Sequence, residues 1–312
     1  MVRVARLTGS VALRHTGWLA GAAILAGFGA ALVATVPAAA EAVGAPTPWG
    51  IGMQASASPV KDRIYSLHDF LLVVITLITL FVLALLTYTV FRFRAARNPT
   101  PSRTSHNTTI EVIWTVVPVL ILVAIAVPSF RLLYFMDRAK EPDMTLKVTG
   151  FQWAWEYEYP DHDGVKFESY MIQDADLRPG QRRLLEVDNE VVVPVGKDIR
   201  VLVTSRDVIH SMFVPALGIQ KYGIPGRTLE TWFRADRPGV FYGQCNQICG
   251  VNHAFMPIVI RAVPEAEFTA WVGDAKRRFA GGSAAPRDPA LAGAAAEPRI
   301  QLAADGRDAT SR

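Results

Sequence analysis

The chain has 312 residues, 51% of them hydrophobic, and a formal net charge of +4 with no long basic patch. That balance suits one globular domain joined to membrane segments, and it excludes nucleic acid as the expected partner. Only two cysteines occur, Cys245 and Cys249, both in one short loop, and their count alone leaves disulfide, metal site and redox pair open.

Residues 1–40 open on a basic head (Arg3, Arg6, Arg14), run uncharged from Thr16 to Ala40, and close on Pro37-Ala38-Ala39-Ala40. The small-x-small ending predicts a signal peptide over 1–40, while the length of the apolar run would also suit an uncleaved membrane helix. A short extracytoplasmic segment, 41–65, is expected next, then a two-helix transmembrane hairpin over 66–136. Its spans are the 22 uncharged residues from Phe70 to Phe91 and the 19 from Val112 to Phe130. Each is close to the ~20 residues that cross a ~30 Å hydrocarbon core as a helix. The loop between them carries Arg92, Arg94, Arg97 and Arg103, with Glu111 as its only acid. Before the first span, Lys61 and Arg63 are offset by Asp62 and Asp69. The bias of basic residues places the 92–111 loop in the cytoplasm and everything after Arg131 outside.

From 137 to about 270 the pattern changes to short β-rich runs at 144–159, 165–172, 183–195, 198–204, 228–234 and 256–263. Turn signals such as Arg178-Pro179-Gly180, Ile224-Pro225-Gly226 and Arg237-Pro238-Gly239 separate them. Many short strands at this spacing predict a β-sandwich or barrel. The remainder, 271–312, is rich in Ala, Gly, Pro and Arg without periodicity, and reads as a disordered tail.

Within the β region, Gly243-Gln244-Cys245-Asn246-Gln247-Ile248-Cys249-Gly250-Val251-Asn252-His253-Ala254-Phe255-Met256 places two thiols, an imidazole and a thioether within twelve positions. His210 lies upstream as a second imidazole. A disulfide is the default for paired cysteines outside the cell but leaves His210, His253 and Met256 unexplained. A Cys2His2 zinc site would leave out the thioether, and a mononuclear blue-copper site would leave out one thiol. Two copper ions bridged by both sulfurs would use the whole set.

The chain is similar to cytochrome c oxidase subunit II over nearly all of residues 60–270. The resemblance rests on Asp207 to His210, Pro225-Gly226-Arg227, Pro238-Gly239, Gly243-Gln244-Cys245 and Phe255-Met256-Pro257, in order. Gly150, Gln152-Trp153, Trp155, Tyr157-Glu158-Tyr159, Glu186-Val187-Asp188-Asn189, Glu111 and Trp114-Thr115-Val116-Val117-Pro118 match as well. It implies a cupredoxin-like Greek-key barrel holding the mixed-valence dicopper centre called CuA. Carried over by position, Cys245 and Cys249 bridge the coppers and His210 and His253 bind one each. Met256 is a weak ligand, and the main-chain carbonyl of Gln247 completes the set.

The resemblance further implies that Trp153 receives the electron from cytochrome c and that Glu111 stands at the mouth of a proton pathway into subunit I. Its implied partners are subunit I and other oxidase subunits, cytochrome c and the bacterial inner membrane. A copper-containing nitric oxide reductase using the same electron-input domain is the alternative. The five acids Glu156, Glu158, Asp161, Asp163 and Glu168, against Lys166 alone, suggest a patch that steers a basic carrier. Phe151, Ala154, Met212 and Tyr222 depart from the family's usual His, Tyr, Trp and Asp. Gln247 stands where the family has a Glu whose side chain binds Mg2+ at the subunit I contact. A neutral amide is a poorer ligand for a hard cation, which weakens the case for Mg2+ here.

Overall fold

A computed structural model describes residues 44–100 and 102–279. The expected signal peptide and the chain beyond 279 lie outside the described residues.

Helix α1 spans Pro59–Arg92 and α2 spans Thr108–Asp137. Each starts where an uncapped amide finds a side-chain acceptor: Ser58 accepts from the Lys61 amide and Asn107 from the Ile110 amide. Their apolar windows carry no buried residue, so the two helices present hydrocarbon outward all round, as membrane spans do. α1 begins earlier than the expected start of the hairpin at 66. Its first turns belong to the exported side, where Val60 and Lys61 are buried and the Ser58 hydroxyl donates to the Leu217 carbonyl at 2.7 Å. The end of α2 is tied to the β domain in the same way. Trp232 Nε1 donates to the Phe135 carbonyl at 2.7 Å, and the two rings meet edge-on.

The β domain has ten strands: β1 Met144–Phe151, β2 Ala154–Tyr159, β3 Val165–Ser169, β4 Val191–Pro194, β5 Ile199–Ser205, β6 His210–Val214, β7 Ile219–Gly223, β8 Leu229–Phe233, β9 Gly239–Cys245 and β10 Pro257–Val263. They form two five-stranded sheets, β3-β2-β1-β5-β8 and β4-β10-β9-β6-β7. Pairing is antiparallel except for β1 with β5 and β4 with β10. Alternation is clean in β5, where Ile199, Val201, Val203 and Ser205 are buried and the residues between them are not. The two inner faces meet over Leu146, Val148, Trp155, Val201, Phe233, Met212, Phe241, Ile258 and Ile260, giving the cupredoxin-like half-barrel that the sequence led us to expect.

Two expectations need correction. The run 183–195 becomes strand only at Val191, because the preceding residues fold as turns. The domain also does not end near 270, since α3 spans Glu265–Arg278. Phe268, Val272 and Ala275 are buried at helical spacing, with Trp271 and Phe279 packed beside them. α3 thus covers Tyr159 and Phe167: the Phe167 and Phe279 rings stack at 4.7 Å, and the Tyr159 and Trp271 centroids lie 5.2 Å apart.

Candidate metal centre

β6 and β9 are adjacent, and Met212 pairs with Cys245. That register brings His210, at the start of β6, beside Cys245 at the end of β9. The loop that follows returns Cys249 and His253 to the same place before β10 begins, with Met256 beneath them. The Cys245 and Cys249 sulfurs are 3.9 Å apart and both residues are free thiols. Cys245 Sγ lies 4.0 Å from His210 Nδ1 and 3.3 Å from the Gln247 carbonyl oxygen. Cys249 Sγ lies 3.4 Å from His253 Nδ1 and 3.6 Å from Met256 Sδ. All six donors named by the sequence therefore converge.

The donor set fits a metal. A sulfur separation of 3.9 Å is far beyond a disulfide bond of about 2.05 Å. It is within reach of ions bound to both thiolates at about 2.3 Å from each. Soft sulfur with imidazole suits copper, and His210, Cys245 and Cys249 are all buried, so incoming ions would be shielded from water.

The surroundings hold the donors in place. Asp207 Oδ1 lies 2.8 Å from His210 Nε2, which leaves Nδ1 facing the sulfur, the usual arrangement for a carboxylate that orients a ligand histidine. Asp207 also accepts from the Gln152 and Val208 amides at 2.7 and 2.6 Å. Burial raises its pKa, but these bonds outweigh it and the group ends below the usual carboxylate value. For His210, burial disfavours the charge, while Cys245 and Asp207 draw the pKa up. The two thiols diverge. Burial acts to raise Cys245, yet bonds with His210, Ser211 and Gln247 lower it overall. Burial and the neighbouring Cys245 push Cys249 up to about 12. Cys245 is thus the more acidic of the two thiols, and a metal bound by both would require each to lose its proton.

Three further contacts complete the cradle. Trp155 Nε1 donates to the Met256 carbonyl at 3.1 Å, and the Gln152 side chain donates to the Cys249 carbonyl at 2.7 Å. Gly150 faces the His210 ring so closely that an added Cβ would lie 2.9 Å from its Cγ. None of Asp207, Gln152, Trp155 or Gly150 had a structural role from the sequence. All four belonged to the matching motifs, and Asp207 carried a further signal, a carboxylate three residues before a candidate ligand histidine.

The model for the periplasmic domain of cytochrome c oxidase subunit II matches residues 144–263, and that for its transmembrane domain matches 46–132. The probable cytochrome c oxidase subunit 2 of Rickettsia bellii is 49% identical over 237 residues, 76% of this chain and 88% of that protein. The chain belongs to the cytochrome c oxidase subunit II family. Subunit 2 of Cereibacter sphaeroides is 43% identical, covering 85% of this chain and 93% of that one. A crystal structure of the periplasmic domain of subunit II from Bradyrhizobium japonicum is 53% identical, covering 46% of this chain and 99% of that one, with a TM-score of 0.43. Members of this family are part of an oxidoreductase complex in a membrane, and the two exposed apolar helices with an exported β domain agree with that setting.

Trp153 lies on the ligand loop: a Cβ at Gly250, where φ is +128°, would meet the indole at 2.8 Å, so only glycine admits the ring there. Its Nε1 is buried with no partner among the described residues. Glu111 lies far from the cluster, at the opposite end of α2, where its carboxylate accepts from the Asn107 amide at 3.2 Å as a helix-capping group.

The acid patch is not free. Glu158 pairs with Lys147, Asp163 with Lys276, Glu168 with Arg206, and Glu156 with both Lys166 and Arg206. Four of the five carboxylates therefore face four bases, three of them from outside the 156–168 segment, while Asp161 accepts from the Thr145 amide. Instead, the surface around the ligand loop is apolar: Ile248 and Val251 are 81% and 83% exposed.

Proposed function

We propose that the chain is the electron-input subunit of an aa3-like haem–copper oxidase of a bacterial inner membrane. It accepts electrons from cytochrome c and passes them to the haem–copper O2-reducing site of subunit I, coupled to proton pumping. Cys245 and Cys249 would bridge two coppers, His210 and His253 would bind one each, and Met256 and the Gln247 carbonyl would complete the set. The bound pair supplies one-electron chemistry without bond-making.

The chain's own residues serve that chemistry by holding still. Sheet pairing fixes His210 against Cys245, Asp207 fixes the imidazole, and Trp155 and Gln152 fix the loop carbonyls. A rigid donor set limits rearrangement when the charge changes. Trp153, packed on Gly250 at the surface of that loop, is the proposed point of electron arrival, and Glu111 at the inner membrane edge the proposed mouth of a proton path. The carrying observation is two free thiols 3.9 Å apart with both imidazoles and the thioether around them.

The test is copper content and low-temperature EPR of the purified complex. Two coppers in this subunit sharing one unpaired electron equally are expected, and Cys249→Ser should abolish that signal. A single copper, or zinc with no signal, would overturn the assignment. The departures at Gln247, Met212 and Tyr222 favour keeping one alternative, a related nitric oxide reductase. Turnover of O2 against NO by the co-purified large subunit separates the two.

A further inference from the structure

Between the outer ends of α1 and α2 lies a groove of about 460 Å³. Two guanidiniums, Arg63 and Arg131, stand over it, and neither has a hydrogen bond or ion pair among the described residues. The nearby carboxylates of α1, Asp62 and Asp69, do not line it. Arg63 is held in position all the same: its Cζ lies 3.4 Å from the centre of the Phe135 ring, which meets Trp232 edge-on at 5.2 Å. The rest of the lining is apolar apart from Ser66, and comes from Leu67, Phe70, Ala124, Pro128 and Leu132.

The polarity of this groove is layered. α1 runs inward and α2 outward, so Arg63 stands seven residues outward of Phe70, and Arg131 seven residues outward of Ala124. At about 1.5 Å per residue, both charges sit about 10 Å outward of the groove's deep end. Positive charge therefore lies at the headgroup level and an apolar cleft lies directly below, within the hydrocarbon. Pro128, inside α2, lines the cleft and gives the Ala124 carbonyl one turn earlier no donor. Two arginines at the outer ends of both spans also run against the usual bias of basic residues toward the cytoplasm, so they call for a local reason.

We infer that this groove binds one phospholipid of the outer leaflet with an anionic headgroup. Its phosphate is held between Arg63 and Arg131, and one acyl chain lies along Leu67, Phe70 and Pro128. Paired guanidiniums match phosphate geometry, and their attraction is strengthened at the edge of a low-dielectric layer. The inference rests on the membrane setting and is independent of the copper reading.

The test uses the purified oxidase complex containing the full chain, as wild type, as the double variant Arg63→Gln/Arg131→Gln, and as Ala124→Leu. The last fills the cleft and keeps both charges. Co-purified lipid is counted by mass spectrometry, and delipidated complex is titrated with phosphatidylglycerol, phosphatidylcholine or inorganic phosphate. We expect wild type to retain one more anionic lipid per complex than either variant, and to prefer phosphatidylglycerol over phosphatidylcholine by about tenfold, a preference the double variant loses. Inorganic phosphate should not displace the lipid at equal concentration. Equal lipid counts in wild type and the double variant would overturn the inference. So would displacement by inorganic phosphate, which would make the site a simple anion site. Loss of subunit I from the double variant with lipid content unchanged would also overturn it, because the groove would then be a protein contact.

Discussion

Replacing Gly150 by alanine tests how tightly the barrel frames the proposed copper site. The new methyl would lie 2.9 Å from His210 Cγ and 3.0 Å from its Cβ and Cδ2, whereas carbons in comfortable contact stand about 3.5–4.0 Å apart. About 0.5–1 Å of displacement is therefore required. The ring has nowhere to go: His210 is fully buried, bound to Asp207, and set edge-on to Trp155 at 6.0 Å. The backbone cannot easily give either, because Gly150 pairs with Trp155 on one side and Ser205 on the other. Overpacking of this kind costs about 1–3 kcal/mol. At roughly 2–4 °C per kcal/mol for a domain of this size, the melting temperature should fall by several degrees. Copper retention should fall with it, since the ring that moves carries the donor nitrogen. Thermal unfolding and copper per chain of the purified variant are the readouts. A variant that keeps its full copper and melts within about 1 °C of wild type would show that the cradle yields to the added methyl.

The other expectations concern the rest of the domain. Gly273 lies inside α3 with open space around its Cβ position, so Gly273→Ala should stabilise by about 0.5–1 kcal/mol in thermal unfolding, and no gain would mean that α3 contributes little. Tyr242 is pushed up to about 12 by burial and by its bond to Glu186, so the folded state keeps a phenolic proton that the unfolded chain loses above about pH 10. Stability should therefore fall as pH rises from 10 to 12, and Tyr242→Phe should make that fall shallower; an unchanged slope would refute the link. Because four of the five acids of 156–168 are paired, the rate of association with cytochrome c should depend only weakly on ionic strength, and a steep decline in stopped-flow rates with salt would show that their charge reaches the donor after all.

Much was legible from order along the chain. Uncharged runs long enough to cross a bilayer and a biased loop set the two spans and the side on which the β domain lies, because burial in lipid is a property of continuous segments. The six candidate donors could also be read, since five of them sit in one twelve-residue stretch and His210 joins them by motif. The strands that carry them could not. β6, β7 and β9 are short and interrupted by Gly223 and Gly243 or by polar residues such as Ser211 and Gln244, and hold their place through pairing with neighbours distant in sequence. Likewise α3 shows only three buried positions, which look like a tail until Tyr159 and Phe167 supply the surface they cover. Amino-acid order alone also left the acid patch open, and the tertiary structure closed it by bringing Lys147, Arg206 and Lys276 across. The distinction is physical: membrane insertion and ligand type are local properties of the chain, whereas the separation of two sulfurs, the aim of an imidazole and the charge of a surface depend on which strands become neighbours.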